Sequence, residues 1–419
     1  MKKITDSVAR IVSHPLARGS AIVLVGSTLA NVGAYAYHLV VGRMLGPVSY
    51  GELASLFSFS YILNVPSTVL QTVLTRYISE FHATHEYGKA KNLSLAVLKW
   101  LTVVIAVGAA LIIPFVGVLA EFLHIRQPIA VFYMYLTSAI WLLTVVQASL
   151  MQGSQMFVAA MVFANVTTVL RLVGGAVGAV FGVVETVLAG VVTGVVSFAA
   201  YFIPLGFIYK GKSQATGIGK KEFVSYSTPS FIALLGITSL YSTDIMLAKH
   251  YLPPLEAGYY AALSVMGKVV YFASSSVSYV LFPVIAARTK QKSDSNQLVY
   301  FALCAVAFVS FGITAGYFLL PKLALQLLFG ASYYPAAPYV GWMGVFLSLY
   351  SLCYVLIMTL LGRNNTVVWK FVAVAAVMQI AAIAWIHSGL MAIIFVNIGI
   401  SVSLFIGLLV YYRHAIQNH

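Results

Sequence analysis

Three charged residues lie where the surrounding sequence is otherwise apolar: Arg171, Asp244 and Lys268. Arg171 falls about 16 residues into the run 155–182 and Lys268 about 11 residues into the run 257–287, each near the middle. Asp244 stands about two turns from the end of the run 223–250. A charge at mid-bilayer costs ~2.5–3.5 kcal/mol on insertion scales, so each position asks for a partner or a function. A guanidinium or ammonium in a low-dielectric cleft binds phosphate or acidic oxygens strongly, which makes Arg171 and Lys268 candidate substrate ligands. An ion pair with Asp244, or snorkelling to a headgroup, would also account for them. Asp244 could take a proton or Na⁺ and so couple the chain to an ion gradient, or could serve as a structural partner for Lys249 or Lys268.

Other residues invite chemistry with less force. Arg76, Lys99 and Lys370 lie near the ends of apolar runs, where long stems snorkel; Arg76 is the candidate ligand among them. Arg43 reads as an interfacial anchor, and Asn31 and Gln71 as links between helices. Residues 206–213, GFIYKGKS, formally match the phosphate-loop pattern. That chemistry needs a loop between a strand and a helix, whereas Gly206 ends an apolar helix, so Lys210 and Lys212 read as topology signals. Cys304 and Cys353 sit inside apolar runs and read as small buried hydrophobes, with no disulfide or metal site expected. The three Asp residues (Asp6, Asp244 and Asp294) form no adjacent pair. No cofactor and no enzymatic activity are expected.

The elements that must position these residues follow from composition. Of 419 residues, 61% are hydrophobic and 8% charged, with mean hydropathy +0.94. A soluble domain carries roughly 25% charged residues, so most of this surface faces something other than water. A bilayer core of ~30 Å needs about 20 apolar helical residues. About twelve runs meet that length: 20–44, 51–79, 93–118, 128–151, 155–182, 185–209, 223–250, 257–287, 297–320, 335–361, 365–387 and 389–412. Alternating lumen-facing polar residues are missing, which excludes a β-barrel.

The net charge of +14 is not a nucleic-acid footprint, because the cations cluster in the connections. With a cytoplasmic N-terminus, the inside set is Lys2, Lys3, Arg10, Arg18, Lys89, Lys91, Lys210, Lys212, Lys220, Lys221, Arg288, Lys290, Lys292, Arg363 and Arg413. The outside set is Arg43, Arg126, Lys249 and Lys322. This asymmetry places both termini in the cytoplasm. Residues 1–19 read as an interfacial helical segment, with Ile4, Val8, Ile11 and Val12 at helical spacing. A basic linker at 210–222 separates helices 20–209 from helices 223–419.

The chain also repeats itself. MLGPVSYGELASL (44–56) aligns with YLPPLEAGYYAAL (251–263) at a shift of 207, nearly half the chain, through Leu45/Leu252, Pro47/Pro254, Gly51/Gly258, Ala54/Ala261 and Leu56/Leu263. A weaker echo sets Gly153 opposite Gly362. Six helices separate the copies, which is the parallel six-plus-six arrangement of many transporters. Pro66 and the pair Gly174–Gly175 read as helix interruptions, serving as hinges or as close-packing sites.

The turn Leu45, Gly46, Pro47, Tyr50 and Gly51, closed by Arg76, resembles the first helical hairpin of the polysaccharide-transporter flippases of the multidrug/oligosaccharidyl-lipid/polysaccharide exporter superfamily. Gln152, Gly153 and Phe157, and Leu361, Gly362 and Arg363, are similar to the starts of that family's fifth and eleventh helices. The resemblance implies an all-α membrane protein of about twelve transmembrane helices in two pseudo-symmetric six-helix bundles around a central cavity. It implies a cargo of polyprenyl-diphosphate-linked oligosaccharide, moved from the inner to the outer leaflet of the cytoplasmic membrane. Glycosyltransferases and a polymerase are candidate partners. An ion-coupled multidrug exporter of the same superfamily is the alternative. A lipid II flippase, usually of fourteen helices, or a membrane glycosyltransferase or polymerase fits less well.

Overall fold

A computed structural model describes residues 15–214, 231–290, 296–363, 365 and 367–417. Residues 1–14 of the expected interfacial segment (1–19), most of the linker (215–222) and the start of the seventh run lie outside the described residues, and residues 15–19 belong to the first helix. Everything regular among the described residues is helical. In a bilayer this follows from the backbone, since a helix satisfies its own N–H and C=O groups where no water can.

Helix α1 covers Pro15–Leu63 and breaks at Gly46, whose φ of 70° is open to glycine at little cost. Pro47 follows, where a ring-fixed φ and a missing N–H suit the first turn of the next helix. That second stretch continues into α2, Val65–Ala83. Then come α3 (Tyr87–Ile112), α4 (Val116–Phe122), α5 (Ile129–Gly153), α6 (Phe157–Phe181), α7 (Val183–Ala200) and α8 (Phe202–Lys210). A helical stretch at 231–240 precedes α9, Thr243–Tyr251. Next are α10 (Pro254–Lys290), α11 (Asn296–Leu319), α12 (Pro321–Leu328), α13 (Ala337–Gly362), α14 (Val368–Trp385) and α15 (Leu390–Gln417). Ten helical stretches among the described residues are long and apolar enough to cross a membrane. Dividing the first at Gly46, so that its second part and α2 form one passage, and adding α10 brings the passages to the expected twelve.

Two compact units form. The first comprises 1–44, 66–120 and 127–223, and the second 45–65, 121–126 and 224–419. The stretch 45–65, placed by its sequence position with the N-terminal helices, thus groups with the second unit.

In the first unit, Leu74, Ile78, Val146, Leu150, Leu205 and Ile208 belong to one buried cluster drawn from α2, α5 and α8. Close approach of α1 to α6 is allowed by Gly26 and Gly33, which face Met161 and Thr168. Asn165 Nδ2 donates to the Gly26 carbonyl at 3.0 Å. Gly174 and Gly175 do not interrupt α6. They pack against Thr193 and Tyr37, so the pair serves helix contact. Residues 211–214, after α8, are tied to α3: Lys91 Nζ donates to the Gly211 carbonyl and Asn92 Nδ2 to that of Gln214.

The second unit is organised around α13, the most buried of the candidate spans. Cys353 on α13 is buried, but Cys304 on α11 is exposed, against expectation. It lies on the helix face marked by the exposed Phe301, Phe308 and Phe311. Apolar neighbours in sequence do not distinguish a lipid-facing position from a core one.

Corresponding residues of the repeat touch. A Cβ on Gly51 would stand 3.0 Å from the Gly258 Cα, and one on Gly258 would overlap the Pro47 carbonyl oxygen. We therefore expect Gly258→Val to lower thermal stability by about 1–3 kcal/mol through overpacking. Gly399→Val, on open surface, is the control, and equal melting of both variants in detergent would remove this contact's importance.

Candidate functional site

Asp244 lies in the first turn of α9, immediately after the helical path breaks at Tyr241–Ser242. A carboxylate is favoured there by the unpaired amides and dipole of a helix start. The side chain is fully buried. Its Oδ2 accepts from the Tyr260 hydroxyl at 2.7 Å. Tyr260 accepts in turn from Asn397 Nδ2 at 2.7 Å, and Asn397 Oδ1 accepts from Gln379 Nε2 at 2.7 Å. Gln379 Nε2 also donates to the Leu240 carbonyl beside the helix break, at 2.8 Å. Residues from α9, α10, α14 and α15 are thus tied into one buried polar chain. Three oxygens in this region, Asp244 Oδ1, Gln379 Oε1 and Ser242 Oγ, are buried with no hydrogen-bond partner among the described residues.

Lys268 is two turns further along α10 from Tyr260 and is buried. Its ammonium stands 4.9 Å from the ring centre of Tyr61 and 5.2 Å from that of Tyr241. The aromatic group continues through Tyr271, Tyr350 and Tyr354, with ring centres 5.2–5.7 Å apart at the Tyr241–Tyr350, Tyr271–Tyr350 and Tyr271–Tyr354 contacts. No carboxylate lies within ion-pair distance of Lys268 among the described residues, so the alternative of a direct Asp244–Lys268 ion pair is not formed.

The other two candidates belong to the first unit. Arg171 on α6 is half-buried over the Tyr37 ring of α1, 5.0 Å from its centre, in the seam that Gly175 also packs into. Arg76 on α2 is exposed and pairs with Glu80 one turn on, at 3.1 Å. An exposed pair of this kind contributes about 0–1 kcal/mol. Further along the same edge, Glu86 accepts from Lys89 at 2.6 Å and Thr84 at 2.9 Å. The Lys89 bond, more than the Thr84 one, draws its carboxyl below the usual range.

Glu52 escaped the sequence reading because it opens an apolar run and passes for an interfacial residue. It is buried, pairs with Arg126 at 3.4 Å, and belongs to the same unit as the buried Lys249. Tyr61, Tyr241, Tyr260, Gln379 and Asn397 were also missed, since aromatic and amide residues carry no depth signal of their own.

This arrangement is that of a multi-pass membrane protein with the fold of transporters of the MOP superfamily. The sequence profile of the family described as polysaccharide biosynthesis protein matches residues 40–338, and the chain belongs to that family. An inward-facing multidrug resistance MATE-family transporter is similar at TM-score 0.70 and 16% identity, covering 92% of this chain and 94% of that one. Lipid II flippase MurJ, inward closed, gives 0.73 at 13% identity, covering 94% and 87%. A MOP-superfamily transporter from Pyrococcus furiosus gives 0.59 at 13%, covering 95% of each chain. No curated protein sequence matches the chain.

Tyr260→Phe removes one donor and one acceptor from the buried chain, leaving Asp244 Oδ2 and Asn397 Nδ2 unpaired. Stability should fall by about 1–3 kcal/mol. Thermal melting in detergent checks this, and an unchanged midpoint would mean that the Asp244–Tyr260–Asn397 link adds no stability.

Proposed function

We propose that the protein is a flippase that moves a polyprenyl-diphosphate-linked oligosaccharide from the inner to the outer leaflet of the cytoplasmic membrane during polysaccharide biosynthesis. The observation that carries this reading is Lys268: a buried ammonium held by tyrosine faces, with no carboxylate at ion-pair distance among the described residues. A phosphate oxygen is the natural counter-ion for such a group, because charge-assisted bonds exceed what aromatic faces offer. Tyr61 and Tyr241 also present ring faces beside which sugars could pack. Membership of the polysaccharide biosynthesis family supports this cargo over a cationic drug.

In this proposal Lys268 binds the diphosphate, and Arg171 and Arg76 assist along the path. Asp244 takes H⁺ or Na⁺ at Oδ1, which no hydrogen bond occupies. The helix break at Tyr241–Ser242 supports an ion role, since interrupted transmembrane helices supply ion ligands in transporters. Both termini lie in the cytoplasm, as the distribution of Lys and Arg suggests. Glycosyltransferases and a polymerase of the same pathway are the expected partners.

The test uses the full chain in liposomes with a fluorescent polyprenyl-diphosphate oligosaccharide. Lys268→Ala should slow flipping about tenfold or more, the loss of one charge-assisted bond, while Lys268→Arg retains part of it. Asp244→Asn should abolish any acceleration by a proton or Na⁺ gradient without unfolding the chain. Export of a cationic dye with no movement of any polyprenyl-linked sugar would replace the flippase by a drug exporter. Wild-type rates in Lys268→Ala would remove Lys268 from the site.

A further inference from the structure

A groove of about 500 Å³ opens between α14 and α15 in the second unit. Its walls are apolar, with Val374, Met378, Ile400 and Leu404 among them, and Lys370 and Tyr411 line it at one end. Phe371 and Tyr411, with ring centres 5.1 Å apart, close that end between the helices. The Tyr411 hydroxyl is already engaged, donating to Asn365 Oδ1 at 3.0 Å. The Ser403 hydroxyl is likewise turned to its own helix, donating to the Gly399 carbonyl at 2.9 Å. The slot therefore offers a ligand hydrocarbon contact along its length and a cation at its end.

Depth identifies what fits. From Lys370 to Met378 the slot runs ~12 Å along α14, and from Tyr411 to Ile400 ~16 Å along α15, at the helical rise per residue. One leaflet's hydrocarbon is half of a ~30 Å core, or ~15 Å. Lys370 is exposed, and no carboxylate lies within ion-pair distance of it among the described residues. Arg413, also exposed, follows two residues past Tyr411 at the same end of α15. The apolar slot is thus about as deep as one leaflet's hydrocarbon and carries one cation, Lys370, in its lining.

We propose that this groove is a binding site for an anionic glycerophospholipid, with one acyl chain between α14 and α15 and the headgroup phosphate on Lys370. A straight acyl chain matches the slot's depth, whereas a polyprenyl tail is longer than one leaflet and would overrun it. None of the groove's lining residues belongs to the Lys268 or Asp244 groups, and the inference does not depend on which cargo the protein carries.

Native mass spectrometry of the full chain, released from mixed micelles of equimolar phosphatidylglycerol and phosphatidylcholine, tests this directly. Wild type should retain phosphatidylglycerol in preference. Lys370→Gln should cut that preference about fivefold, the effect of one lysine at a membrane surface. Val374→Trp, which fills the slot from its exposed side, should remove the retained lipid of either headgroup. Equal retention of both lipids by wild type, or a preference untouched by Lys370→Gln, would overturn the proposal. Added polyprenyl phosphate that displaces phosphatidylglycerol from wild type and stays bound itself, but is not retained by Val374→Trp, would also overturn it, by assigning the slot to a prenyl chain.

Discussion

The helices that begin at Pro47 and Pro254 can lie together because neither Gly51 nor Gly258 carries a side chain. The Pro47 carbonyl occupies the space that a Cβ on Gly258 would need. Small residues at such crossings let backbones approach, and inside a bilayer that approach supplies packing that the hydrophobic effect does not. Because Gly51 and Gly258 are equivalent positions of the repeat, each helix meets its own counterpart. Ten residues further on, the same shift of 207 pairs Tyr61 with Lys268, and these two also touch. The helices therefore run side by side for ~15 Å, in register with the repeat. A repeat with lysine at both places would set two ammonium groups against each other. Tyrosine at 61 instead turns the second contact into a favourable one between cation and ring face.

The polar chain beside this seam depends on a different constraint. Breaking a helix at Tyr241–Ser242 frees backbone groups where water is scarce, and each must find a partner. Gln379 takes up the Leu240 carbonyl and passes a hydrogen bond to Asn397, which reaches Asp244 through Tyr260. The carboxylate is thereby oriented by one oxygen, Oδ2, while Oδ1 has no hydrogen-bond partner among the described residues. A half-satisfied acid is expensive in a low-dielectric interior, so its persistence asks for a ligand or a proton.

Much of this was legible in the sequence, and the reasons are physical. Twelve apolar lengths, the repeat and the depth of Asp244 and Lys268 all follow from one-dimensional quantities: hydropathy, spacing and distance from a run's end. Partners do not follow from them. Tyr260, Gln379 and Asn397 are far apart in the chain and carry no charge, so nothing in their local sequence sets them apart from packing residues. Glu52 was masked by its place at a helix start, and Cys304 by apolar neighbours that face lipid as readily as core. Gly174 and Gly175 suggested a break, but α6 keeps its hydrogen bonds and uses the missing side chains to admit Tyr37 and Thr193. Tyr61 and Tyr241 carry no depth signal in the sequence, since aromatic residues occur both at the interfaces and inside.

The two intramembrane cations differ in a way that magnitudes make plain. Arg171 lies half-buried on one ring, where a planar guanidinium gains from stacking and its long stem packs between α1 and α6. Removing it would disturb a helix seam as well as a charge. Among the described residues Lys268 stands over two rings with no carboxylate at ion-pair distance, and cation–ring contacts contribute ~0.5–2 kcal/mol each. That range is enough to keep an ammonium in place but less than a desolvated phosphate offers. An anion could therefore draw Lys268 off its rings, and the rings could take it back when the anion leaves. A carboxylate in their place would bind the ammonium more firmly and compete with any phosphate for it. For the site proposed at Lys268, from which a cargo would have to leave after each crossing, aromatic faces are the better resting partner.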